Sequence, residues 1–115
     1  MNKYFQGWEE FEVDGATVAF YKKTTQKELF IGFDSSSCTP PGPMVNAMVA
    51  FNFVTDKNTK VVMINHKFPA GLIPKIESQF DYEQEDLEDS LVKLTFTLKS
   101  GVKPKQFDTN QVCHG

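Results

Sequence analysis

The chain is poor in cysteine, with two in 115 residues, and has a single Trp. Cys38 and Cys113 are too few for a disulfide framework, so both thiols are expected reduced. The first residues, Met1 to Gly7, lack the basic start and apolar run of a secretory leader. No apolar run is long enough to span a bilayer; Met44 to Val54 comes nearest and is too short. The expected setting is therefore the cytoplasm, with no membrane contact. An excess of basic charge is missing too. Twelve basic residues stand against fifteen acidic ones, a net charge of -3, which speaks against a nucleic-acid partner. No Gly-rich phosphate loop, Ser-centred elbow or zinc-protease pattern occurs. No cofactor and no metal is expected.

What the chain has is Phe, eleven of them, and a hydrophobic share of 40%, enough for one packed core. The residue pattern orders that core. Phe11 to Val13, the turn Asp14-Gly15, and Ala16 to Tyr21 predict a β-hairpin. Lys22 to Lys27 suits a second turn. Leu29, Ile31 and Phe33 share one face of a strand over residues 28–33.

A loop with three prolines follows, from Asp34 to Pro43. Pro43 suits the first position of a helix running to about Phe53, with Met44, Ala47, Met48 and Phe51 on one face. No charged residue occurs from Ser35 to Thr55. Either this helix is covered on both sides or one side is a docking surface. Cover by the N-terminal extension is the favoured reading.

Val61 to Ile64 is apolar on both faces, as in a central strand of a covered sheet. A loop from His66 to Gly71 leads to a second helix over about residues 72–80, with Pro74 confined to its first turn. Tyr82 to Leu87, an acidic turn at Glu88-Asp89-Ser90, and the alternating strand Leu91 to Lys99 close the fold. From Glu28 onward the order reads βαβαββ. This predicts an α/β (α+β) two-layer sandwich, with two helices on one face of a mixed sheet. Three segments follow: an N-terminal hairpin extension (1–27), a main domain (28–100) and a polar C-terminal tail (101–115).

Phe33-Asp34, the loop, and Pro40-Pro41-Gly42-Pro43-Met44 at a helix start resemble the TusA/SirA-like sulfur-carrier superfamily. The match is to its branch with Pro-Pro-x-Pro-Met in place of the Cys-Pro-x-Pro motif. The segment Asn65 to Leu72, with His66 and Pro69, resembles that branch's second motif. The resemblance covers about residues 28–99. It implies a small cytoplasmic domain with the βαβαββ sandwich. In the family a cysteine at the helix N-terminus carries a persulfide. Here Pro40 stands at that position, and Cys38 lies two residues earlier. Proline can neither ionise nor accept sulfur.

Three functions follow from this pattern. The first is a non-enzymatic binding or regulatory domain. Its surface would comprise Asp34, Pro40, Pro41, Pro43, Met44 and His66, and its partner a protein or a small anionic ligand. The second is a sulfur carrier or thiol-redox protein with Cys38 as the reactive group. The third is a structural subunit of a homo-oligomer joined through the uncharged first helix. Cys113-His114 offers too few ligands for structural zinc. The acidic run Glu83 to Asp89 reads as an exposed hairpin that guards a sheet edge.

Overall fold

The computed structural model describes residues 2–103. The expected polar tail from residue 104 on, with Phe107, Cys113 and His114, lies outside the described residues. Within them the protein is a mixed α+β fold of six strands and two α-helices. The strands are β1 (Glu9–Phe11), β2 (Phe20–Thr24), β3 (Leu29–Asp34), β4 (Thr59–Asn65), β5 (Phe80–Asp86) and β6 (Val92–Leu98). The helices are α1 (Gly42–Phe51), between β3 and β4, and α2 (Ile73–Ile76), between β4 and β5. The sheet runs β1-β2-β3-β4-β6-β5. Only β3 and β4 pair parallel; every other neighbouring pair is antiparallel.

Period-two burial divides the sheet's residues between two clusters. Phe20, Ile31, Phe33, Val61, Met63, Leu94 and Phe96 face α1 and α2, where Ala47, Phe51, Leu72 and Ile76 complete the main core. Phe51 sits at its centre, edge-on to Phe96 at 5.1 Å and tilted over Phe80 at 4.6 Å between ring centroids. The opposite face carries Tyr21, Val62 and Ile64, packed with Phe5 in a second cluster. Val61 through Ile64 are thus buried on both sides, as the unbroken apolar run of β4 requires.

The cover over the second face comes from the N-terminus. Residues Lys3–Phe5 form a 3₁₀ turn, capped by the Asn2 side chain, which accepts from the Tyr4 N–H. Phe5 stacks on Tyr21 at 4.8 Å and meets Trp8 edge-on at 5.0 Å. Its ring lies against the backbone of Gly32, so closely that a Cβ there would stand 2.3 Å from Phe5 Cε1. Only glycine admits that approach. Lys3 also forms an ion pair with Glu88, tying the segment to the β5–β6 connection.

The N-terminal hairpin differs from the tight turn expected at Asp14-Gly15. Phe11 pairs with Phe20, so residues 12–19 form a loop rather than two strands. Gly15 takes the positive φ of 87° that such a turn needs. The loop, however, leaves the sheet to pack Val13, Ala16 and Val18 on the main core. The Thr17 N–H donates to Asn46 Oδ1 at 2.9 Å, and Asn46 Nδ2 donates to Thr17 Oγ1 at 2.8 Å and to the Gly42 carbonyl at 2.9 Å. Burial of three apolar side chains and a satisfied buried amide outweighs local hairpin preference. This loop covers α1, which accounts for its uncharged sequence: every residue from Asn46 to Phe51 is buried.

Helix α2 is also shorter than the expected residues 72–80. It stops at Ile76 because Phe80 joins β5 opposite Leu98, and the Lys99 N–H donates to the Gln79 carbonyl.

Two substitutions test the N-terminal cover by urea unfolding. Phe5→Ala is expected to cost about 3–5 kcal/mol, the range for emptying a fully buried Phe site. Gly32→Ala is expected to cost about 1–3 kcal/mol through overpacking. The double variant should lose less than the two losses added, since removing the ring makes room for the methyl. Strict additivity would show that the ring and the glycine do not meet.

Candidate functional site

The parallel strands β3 and β4 end side by side, and their C-terminal ends define where chemistry can be placed. In open α/β sheets a crevice forms just outside such ends, because the chain leaves them to cross to a helix. Here β3 leaves at Asp34 into the proline loop, and β4 leaves at Asn65 into residues 66–72.

The two exits are clasped together. Ser35 is fully buried, and its hydroxyl donates to the Asn65 side-chain oxygen at 3.0 Å and lies 3.1 Å from the Ile64 carbonyl. The Ser35 N–H extends the ladder to that same carbonyl at 2.8 Å. The Asn65 amide nitrogen then donates to the Lys67 carbonyl at 3.0 Å. One buried amide thus fixes both loops.

Between them lies a cavity of about 220 Å³. Pro40, Pro43 and Met44 form the wall from the start of α1, and His66, Lys67 and Phe68 form part of the facing wall. Met63, Asn65 and Leu72 also line it, from the core side. Among the described residues no carboxylate lines the cavity, whereas the His66 and Lys67 side chains stand at its exposed rim.

The proline loop is built from two consecutive turns, with the Cys38 N–H donating to the Ser35 carbonyl and the Gly42 N–H to the Thr39 carbonyl. Pro41 is the N-cap residue of α1 and offers no side-chain cap, so the first turn of the helix lacks a capping oxygen. The peptide bond between Pro40 and Pro41 is cis.

The structure therefore brings four of the sequence-derived candidates to one cavity: Pro40, Pro43, Met44 and His66. The other three lie apart from its walls. Pro41 is exposed at the helix cap. Asp34 is engaged by both oxygens: Oδ2 accepts from Asn2 Nδ2 at 2.6 Å and Oδ1 from the Ser36 N–H at 2.8 Å. Its carboxylate anchors the N-terminal segment to the loop.

Cys38 packs on Gly42, where a Cβ would stand 2.9 Å from Cys38 Cβ, and its thiol has a side-chain hydrogen bond with Thr17. Partial burial pushes the thiol pKa up, the Asp34 charge adds to that rise, and the Thr17 hydrogen bond offsets part of it. A carrier or redox thiol is favoured by the opposite environment, one that stabilises thiolate at neutral pH.

Asn65, Ser35 and Lys67 were not among the candidates. A signal for Asn65 was present: it falls two residues after Met63, in the core-facing register of β4, where a polar side chain must find a partner. Among the described residues, no group of three or more His, Cys, Asp or Glu is placed to hold a metal ion. No helix there is long and apolar enough to cross a membrane. The acidic residues of β5 are exposed. Comparison with known proteins gives no match to a family model, a curated protein or a solved structure.

The raised thiol pKa fixes a pH dependence. Protonated thiol is favoured in the folded state, so its contribution to stability is complete below the unfolded thiol's pKa. That contribution is lost as the pH rises through the higher folded value. Alkylation of Cys38 by iodoacetamide, followed by intact mass in a Cys113→Ser background, should be slower at neutral pH than for an unfolded control. The midpoint of its pH–rate curve should lie above the control's. A midpoint below the control's would mean an activated thiolate.

Proposed function

We propose that this chain is a non-enzymatic binding domain on a scaffold resembling the TusA/SirA sulfur carriers, in which the cavity beside α1 has replaced the reactive thiol. The observation that carries this reading is the convergence of Pro40, Pro43, Met44 and His66 on one cavity without Cys38. The strand order β3-β4-β6-β5, with α1 between the parallel pair, supports a βαβαββ two-layer sandwich of that kind. The ligand is a small anion, or a protein segment that presents one. His66 and Lys67 supply donors at the rim, and Met44, Phe68 and Leu72 pack the apolar part. The rigid prolines lower the entropy lost on binding. The setting that fits is the cytoplasm.

The test is an amide-shift titration of the labelled protein with acetate, phosphate and thiosulfate. Saturable shifts are expected at Gly42, Met44 and residues 66–72. They should weaken at least about fivefold in His66→Ala, the loss of one hydrogen-bonded contact, and persist in Cys38→Ser. Shifts spread evenly over the surface, or their loss in Cys38→Ser, would overturn the reading. Incubation with a cysteine desulfurase and its substrate should add no sulfur mass at Cys38. An adduct confined to Cys38 would restore the sulfur-carrier alternative.

A further inference from the structure

The sheet has two unequal edges. On one side β1 has three residues and gives way to the loop over α1. On the other side β5 is seven residues long and is paired with β6 through all seven positions, without a bulge. No described residue pairs with its outer edge. A regular strand of this length leaves a row of backbone donors and acceptors facing outward, and proteins usually shorten, bend, cover or break such an edge with proline. β5 has none of these; its guard is charge, since the exposed carboxylates repel an acidic or like strand and leave a basic one free to pair.

Its side chains are of one kind. Asp81, Glu83 and Glu85 alternate along one face, and Asp86 adds a fourth carboxylate; no basic residue occurs in the strand. All are exposed. Lys99 on β6 reaches Asp81 at 3.9 Å, but Glu83 and Glu85 have no ion pair among the described residues. Tyr82, on the other face, is the exposed large hydrophobic residue of the described chain, 39% accessible, with its ring against Phe68 and Phe96. Tyrosine with one open side is a common anchor in protein interfaces. An antiparallel β5–β5 pair that keeps the faces of the two sheets aligned would set carboxylates opposite carboxylates, which disfavours a second copy of the chain as the occupant. Beyond β6, Val102 packs on the main core and Lys103 lies beside Asp56 and Lys57.

We infer that the β5 edge takes up an extended, lysine-bearing segment of a partner protein as a seventh strand. Backbone hydrogen bonds hold the segment, as in strand addition generally. Alternate lysines meet Asp81, Glu83 and Glu85 across the new strand pair. A side chain on the other face packs on Tyr82. The site adjoins the cavity beside α1 through Phe68, on which the Tyr82 ring packs, but it does not rest on a ligand in that cavity.

The probe is a capped seven-residue peptide alternating Lys with Val and Thr, added to the full-length protein. Amide hydrogen exchange read by NMR should show protection that grows along β5, and the dissociation constant should rise with salt. A peptide of equal charge, N-methylated at alternate backbone positions, should bind at least about tenfold more weakly because it cannot complete the ladder. The variant Glu83→Lys/Glu85→Lys changes only exposed side chains. It should lose the lysine peptide and gain the matching glutamate peptide.

Equal binding of the N-methylated peptide would reduce the effect to bulk charge attraction and overturn the proposal. So would full protection of the outer β5 amides before any peptide is added, which would place the chain's own tail on the edge. A concentration-dependent dimer that protects β5 would overturn it as well.

Discussion

One aromatic ring against one bare stretch of backbone holds the architecture in place. Phe5 lies between Tyr21 and Gly32, and through that contact the N-terminal segment closes the sheet face that the helices leave open. A strand as apolar as β4 cannot have one side in water without exposing Val62 and Ile64. The helical layer cannot supply the second cover, because α1 and α2 both pack on the other side. The protein meets the need with a few residues of 3₁₀ turn and an aromatic cluster rather than with a third helix. Of the ten described Phe residues, eight lie in or against the main core and two, Phe5 and Phe30, in or against the second.

The same N-terminal region works at both faces. Residues 2–8 cap one side of the sheet, while the β1–β2 loop crosses to the other and covers α1 through Val13, Ala16, Val18 and the Thr17–Asn46 hydrogen bonds. The helix is uncharged because it is an inside helix. This arrangement frees only its first turn, and that turn forms one wall of the cavity. Burial thus selects where the protein can present recognition groups.

Much of this was legible in the sequence where periodicity is strong. The alternation of Val92, Leu94, Phe96 and Leu98, the double-sided run in β4 and the face of α1 each map onto the buried residues of the structure. Elements governed by distant partners were not. The Asp14-Gly15 turn chemistry is real, yet the strands around it yield to contacts of Thr17 with Asn46, 29 residues on in sequence. The role of Phe5 depends on the missing side chain of Gly32, and no local pattern links those positions. At the site, the proline loop and the loop at His66 line one cavity. The roles of Asp34 and Cys38 depended on what lay opposite them, Asn2 for one and Thr17 for the other.

The Ser35–Asn65 clasp separates the frame of the cavity from its face. Frame groups are buried and hydrogen-bonded to one another, and they hold the two loops at a fixed spacing whatever enters between them. The side chains of His66 and Lys67 project from that frame, are exposed and have no ion pair among the described residues. Substitution of these two side chains leaves the clasp intact, because it uses only Ser35, Asn65 and backbone carbonyls. A scaffold divided in this way keeps its shape while the chemistry of its rim is rewritten one residue at a time.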